Sequence, residues 1–213
     1  YTGKPLQQIV DFVGCAVVPE LCKDRKITIK EALQLMHDRK LQPYLMGGFI
    51  RDILMNKPSD DIDLTLACTY EQLLGFAREA DSKGWLHSLK EDGQKIPVSQ
   101  AKSPSYFNIG DQTKPCALEG KAWPVNEAGE RELPLRDFTF NEFLYDPINH
   151  ELIDPSGRGL EDAMKHELRI SAGWDLDMWV HGPSKQKHPF ANLFRWCKFH
   201  GRGYTPADPV QRK

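Results

Sequence analysis

Long apolar runs are absent from this chain. The best stretch, residues 9–18, carries Asp11 and stops at Pro19. A membrane-spanning helix needs roughly 18 apolar residues, so no membrane insertion is expected. Paired cysteines are lacking too. Cys15, Cys22, Cys68, Cys116 and Cys197 are scattered and form no C-x-x-C pair, which fits neither a disulfide framework nor a zinc ribbon. They read as small hydrophobes in a reducing, intracellular compartment. No sign of charge dominates: 28 basic against 30 acidic side chains leave a net −2, which argues against wholesale nucleic-acid binding. Nor does the chain open on methionine. Tyr1 leads us to expect a segment upstream, a processed leader for a mitochondrion or plastid being one source of it.

What is present is a globular composition, 213 residues with 40% hydrophobic and 27% charged. That suits one domain with a short appendage, or two small domains. The charge is uneven. Residues 181–213 hold Lys185, Lys187, Arg195, Lys198, Arg202, Arg212 and Lys213 against Asp208 alone, leaving the rest of the chain acidic. Such a basic segment suits phosphates, or simply a solvated face.

Thr28-x-x-Glu31 reads as a capping box, and Ile29, Leu33 and Met36 recur at helical spacing, so a helix is expected over 28–40. Tyr44-Leu45-Met46 looks like a short buried strand, Gly47-Gly48 a turn, and residues 49–55 a helix broken by Asn56-Lys57-Pro58. Residues 61–66 alternate, with Ile62, Leu64 and Leu66 facing one way and Asp61, Asp63 and Thr65 the other. Thr69-x-x-Gln72 caps a further helix that Gly84 stops. Residues 90–134 are rich in glycine, proline and charge and read as a long loop with one or two strands, near 95–99 and 105–109. A helix start is expected from Arg136 through Asn141, a hairpin over 143–153, a helix to about Glu167 and a last helix over 189–200.

The chemistry concentrates in Gly47-Gly48-x-x-Arg51-Asp52 and, nine residues on, Asp61-Ile62-Asp63. Glycines between a strand and a helix let backbone N–H groups approach an anion, and Arg51 one turn in can reach the same phosphate. Aspartates at i and i+2 on a strand share a face and suit hard divalent cations, which clamp both oxygens of an in-line displacement at phosphorus.

These residues, with Leu135-Arg136-Asp137-Phe138-Thr139-Phe140-Asn141, Tyr145-Asp146-Pro147 and residues 153–162, resemble the head domain of class II tRNA nucleotidyltransferases and bacterial poly(A) polymerases. The resemblance implies an α+β fold, a small mixed or antiparallel sheet packed on helices. It also implies an organisation of 1–40 as a helical extension, 41–170 as the head with a Pro-rich insertion at about 90–134, and 171–213 as a partial neck helix and basic tail. It makes Asp61 and Asp63 the metal-binding catalytic carboxylates, with two Mg²⁺ ions. Gly47, Gly48 and Arg51 would then meet the phosphates of ATP or CTP, Arg136 and Asp137 would hold the nucleotide, and Arg195 and Lys198 would lie on its base-reading helix. The acceptor would be an RNA 3′ end, that of tRNA.

The family's E-D-x-x-R-x-x-R-x-x-R-F helix has become His188-Pro189-x-x-Asn192-x-x-Arg195-x-x-Lys198-Phe199, without the acid pair or first arginine. Leu135 stands where the family has an arginine, no T-F-R strand is evident in 90–134, and the body and tail domains are not in the chain. A second expectation follows, that of a degenerate head recruited as a structural subunit, with protein partners in place of the body; a third is a nucleotide sensor without turnover. Thr2-Gly3-Lys4 lacks the rest of a phosphate loop. His181, His188 and His200 near Cys197 lack paired metal-ligand spacing. Trp174, Trp179 and Trp196 read as packing residues before base-stacking ones.

Overall fold

The computed structural model describes residues 4–18, 27–57, 62–110, 117–123, 136–174, 179 and 190–207. Helix α1, Lys4–Cys15, buries Ile9 and Val13. Strands β1, Val17–Val18, and β2, Ile27–Thr28, pair antiparallel and lead into helix α2, Ile29–Asp38. The expected capping box is present: Glu31 N–H donates to Thr28 Oγ1 at 3.2 Å and Thr28 N–H donates to Glu31 Oε2 at 2.8 Å. Two of the orphan N–H groups at the helix start are satisfied this way. Thr69 and Gln72 repeat the device ahead of helix α4, Tyr70–Ser82.

The sheet is built from β3, Pro43–Met46; β4, Ile62–Leu66; β5, Leu86–Glu91; β6, Gln94–Ile96; β7, Tyr106–Ile109; β8, Leu118–Ala122; β9, Leu144–Asp146; and β10, Glu151–Ile153. Its order is β10-β9-β3-β4-β8-β7-β5-β6. Neighbours run antiparallel except β4 and β8, which are parallel. A mixed sheet packed on helices is the expected α+β class. On β4, Ile62, Leu64 and Leu66 are buried as the alternation predicts. Thr65 differs from expectation and is buried as well. Its strand is interior to the sheet, and its cross-strand partner Tyr44 is set edge-on against Trp123 at 5.1 Å.

The reading of 90–134 as a long loop with one or two strands is corrected at one point, a third strand. β6, β7 and β8 all fall inside it, and β8 sits beside β4 in the middle of the sheet. The strands expected near 95–99 and 105–109 are β6 and β7; β8 escapes the pattern because Gly120 interrupts it. That glycine is required by packing: a Cβ there would lie 2.3 Å from Cε1 of Phe107, its cross-strand partner. The Phe107 ring fills the space and meets Phe76 of α4 edge-on at 5.9 Å.

One core joins Ile9 and Val13 of α1, Leu33 and Met36 of α2, and Leu45, Leu64 and Phe107 of the sheet. Residues within the expected 1–40 helical extension contribute to the core of the sheet. A second, aromatic cluster gathers Phe138, Phe140, Ala163, Leu168, Trp179, Phe199 and Tyr204. The expected start of a helix at 136–141 is a single 3₁₀ turn, Thr139–Asn141. Helix α5, Gly159–Lys165, and the last helix, α6, Ala191–His200, flank this cluster. After α6, strand β12, Thr205–Pro206, pairs parallel with β11, Glu167–Leu168.

Candidate functional site

The turn between β3 and helix α3, Gly48–Leu54, is set by Gly47, with φ 78° and ψ −145°. That backbone region is essentially closed to residues with a Cβ. Space closes it as well, because a Cβ on Gly47 would lie 2.5 Å from Nη2 of Arg136. The same Nη2 lies 3.7 Å from Oδ2 of Asp63. Gly47, Asp63 and Arg136, expected at the site from three separate segments, are brought together here. The Arg136 carbonyl accepts a 2.6 Å bond from Trp174 Nε1, while its own Nε is buried without a partner. A buried donor with no partner is costly, and the guanidinium's charged neighbour is Asp63.

Arg51 is placed differently from expectation. It is buried, and its Nε and Nη2 donate to Asp52 Oδ1 at 2.8 and 2.7 Å while Nη1 donates to Asn141 Oδ1 at 2.5 Å. Its guanidinium also stacks on the Phe199 ring at 5.1 Å and on Phe140 at 5.7 Å. Its donors are thus taken up by Asp52 and Asn141, and its face lies against the Phe199 ring of α6. A Cβ on Gly48 would nonetheless lie 3.2 Å from its Nη2, so Arg51 braces the glycine turn from below.

Asp137 is 3% exposed. Its Oδ1 accepts from Phe138 N–H at 3.1 Å and Asn141 Nδ2 at 2.9 Å, and its Oδ2 from Arg195 Nη1 at 3.3 Å. One chain of contacts therefore runs Arg51–Asn141–Asp137–Arg195, joining α3, the 3₁₀ turn and α6. Lys198, one turn beyond Arg195, is exposed. Asn192, on the register of the lost first arginine, donates its Nδ2 to the carbonyl of Trp179 at 3.0 Å. Of the expected nucleotide-contacting residues, Asp137 and Arg195 thus touch each other, and Arg51 is linked to them through Asn141.

Asp61 lies outside the described residues, as do His181 and His188. Asp63 projects from β4 with its side chain 41% exposed. Its register partner across the parallel β4–β8 pair is Glu119, so the two carboxylates share a face about one strand spacing apart, roughly 4.8 Å. Tyr106 lies close enough to feel both. Its phenol is pushed up first by burial, then by a hydrogen bond to Glu119, and further by the charges of Glu119 and Asp63. Glu119 is the residue that sequence reasoning missed. Its signal was an acid flanked by Leu118 and Gly120 in a stretch read as loop. Among the described residues no group of three or more His, Cys, Asp or Glu stands ready for a metal.

This arrangement, two half-open carboxylates on adjacent central strands beside a glycine turn and an arginine, can be set against known proteins. The sequence pattern of the poly A polymerase head domain matches residues 43–169, more than half of the chain. The chain belongs to this family. It is 27% identical over 153 residues to a CCA-adding enzyme of Staphylococcus saprophyticus, covering 68% of this chain and 35% of that protein. It is 28% identical over 137 residues to a multifunctional CCA protein of Xylella fastidiosa, covering 61% and 30%. The chain thus spans about a third of the length of these relatives. Among solved structures, an apo CCA-adding enzyme superposes with a TM-score of 0.59 at 18% identity, over 86% of this chain and 40% of that one. The Thermotoga maritima CCA-adding enzyme complexed with tRNA gives 0.55 at 18% identity, over 92% and 43%. At that identity the likeness shows the fold alone.

Proposed function

We propose that this chain carries the head of a metal-dependent RNA nucleotidyltransferase, which transfers a nucleoside monophosphate from ATP or CTP to a tRNA 3′ end. The 3′ hydroxyl oxygen bonds to the α-phosphorus, the bond from that phosphorus to the oxygen bridging toward the β-phosphate breaks, and pyrophosphate leaves. The observation that carries the reading is the meeting of Asp63, Glu119, Arg136 and Gly47 at the middle of the sheet. The names of the relatives, CCA-adding enzyme and multifunctional CCA protein, support it.

Half-exposed carboxylates in register on adjacent strands are hard oxygen donors and fit magnesium. Asp63 and Glu119 would hold it, with Asp61 from the same D-x-D segment. When bound, the ion supplies charge neutralisation at phosphorus. Gly47 keeps the turn free of a side chain, so that an anion can come close. Arg136 offers a fixed guanidinium beside Asp63. Arg51 and Asp137 are positioning residues that hold the turn and α6 in relation, and Arg195 and Lys198 place positive charge on the side where a triphosphate would lie. We take 41–170 as the head, 1–40 as a helical extension and 171–213 as neck segment and tail, in a reducing intracellular compartment.

Incorporation of labelled ATP or CTP into tRNA lacking its CCA end, with Mg²⁺, tests this reading. Asp61→Ala/Asp63→Ala is expected to abolish it. A specific observation favours a second reading, that of a structural subunit: Arg51 is taken up by Asp52 and Asn141, and Arg195 by Asp137, so these side chains have partners within the fold. No incorporation by the unaltered chain would decide for that alternative.

A further inference from the structure

Two parallel rows of side chains cross the sheet on the face that carries Asp63. The first runs Asp63, Glu119, Asn108 and Ser88, in register across β4, β8, β7 and β5. The second lies two residues along and runs Lys121, Tyr106, Lys90 and Lys95 across β8, β7, β5 and β6. In-register neighbours share a face and residues two apart on a strand do too. The rows are therefore adjacent, separated by roughly 7 Å along the strands. Glu119, Lys121 and Lys95 are half-buried or exposed, whereas Leu118, Gly120 and Phe107 between them are buried on the core side.

The second row is held together by Tyr106. Lys90 Nζ lies 4.2 Å and Lys121 Nζ 5.7 Å from the centre of its ring. Cation–π contact costs the ammonium groups little of their outward charge. The acid at the end of β5 does not cancel that charge: Glu91 turns away and accepts from the backbone N–H groups of Lys102 and Ser103 at 2.9 and 3.2 Å. Cations are thus arrayed on one side of the Asp63–Glu119 pair, and Gly47 and Arg136 lie on the other, because β3 flanks β4 on the edge away from β8. From β4 to β5 is three strand steps, roughly 14 Å. That is too far for Lys90 to meet the phosphates that reach Asp63.

We propose that Lys121, Lys90 and Lys95, spaced by Tyr106, form a track for the phosphodiester backbone of the acceptor RNA strand, leading its 3′ end to the carboxylates from the side opposite the nucleotide. This rests on the transfer reading above and adds the acceptor's path. With its ring occupied by ammonium groups, Tyr106 stacks no base, so the track is indifferent to sequence.

The test uses the full chain, a fluorescein-labelled single-stranded RNA oligonucleotide and, separately, Mg·CTP. The triple variant Lys90→Ala/Lys95→Ala/Lys121→Ala is expected to bind RNA at least about tenfold more weakly at low salt. Its log K against log salt slope should be shallower by roughly 2, about 0.7 for each of three lost phosphate contacts. Mg·CTP binding should stay unchanged. Lys95→Glu alone, an exposed edge change, should weaken RNA binding in the same direction, which guards against misfolding of the triple variant. Unchanged RNA affinity and slope in both variants, with Mg·CTP bound, would overturn the track and leave the transfer reading standing. RNA unbound by the unaltered chain would also overturn the track, and failure of Mg·CTP to bind as well would remove the transfer reading with it. Preference of the same lysines for anionic lipid vesicles over RNA would overturn the track in favour of a membrane surface.

Discussion

The guanidinium of Arg136 occupies the space that a side chain on Gly47 would need, with Nη2 2.5 Å from the Cβ position. The pairing ties the turn after β3 to a segment far away in sequence and leaves Nη2 3.7 Å from the Asp63 carboxylate. A side chain on Gly47 cannot be added without moving Arg136.

Gly47→Ala meets this relationship directly. Its φ of 78° strains the backbone by about 1–3 kcal/mol, and the new methyl pushes Arg136 off Asp63. Chemical denaturation should show a loss of that size. Nucleotide incorporation should fall further than stability does, because the arginine is displaced even in the folded fraction.

Arg51→Met should be among the most damaging single changes in α3. It strips three hydrogen bonds and a ring contact from a side chain that is 8% exposed, and leaves Asn141 and Asp52 facing an apolar group. A loss of about 3 kcal/mol is expected. Arg51→Lys keeps the charge but cannot reproduce the fork, so equilibrium unfolding should place it between the two.

Glu119→Gln preserves shape and removes one of the two in-register carboxylates. Thermal unfolding should be nearly unaltered, since the side chain is only half-buried. Incorporation should drop by about 10²-fold. A variant that kept full activity would take Glu119 out of the site.

Acid should reveal the pair between α2 and α4. Glu79 accepts from Arg39 Nε and Nη2 and from Lys83 Nζ, and these bonds hold its carboxyl down at about 2. A carboxyl whose value is lowered on folding stabilises the fold above its unfolded value of roughly 4.3. That contribution is lost as pH falls from about 5 toward 2. The side chains are about 30% exposed, so screening limits the effect to about 1 kcal/mol. Glu79→Gln should lose less stability than the parent over that window, followed by urea midpoints at each pH.

Much of this architecture is written locally. Thr28 and Thr69 announce their helices because a hydroxyl and an acid or amide three residues later can satisfy orphan N–H groups without help from the rest of the chain. The alternation of Ile62, Leu64 and Leu66 announces β4 because that strand packs against helices on one face. Strand β8 could not be read that way, since Gly120 replaces the apolar residue that alternation needs and a ring from another strand fills its place. Glu119 was lost with it. The partner of Arg51 was equally out of reach, for Asn141 is 90 positions away, and nothing in the glycine motif shows that the arginine turns inward.

The return of the chain after α6 has a mechanical consequence. Thr205 N–H donates to the His166 carbonyl at 2.9 Å and Ala207 N–H to the Leu168 carbonyl at 3.1 Å, while Phe199 is wedged among Phe138, Phe140 and Tyr204. At its other end α6 is pinned through Asn192 to the Trp179 carbonyl. A bar fastened at both ends is a fixed jaw, not a hinged one. Exposed as it is, the Arg195 side chain can change rotamer on the nanosecond scale while the helix stays in place.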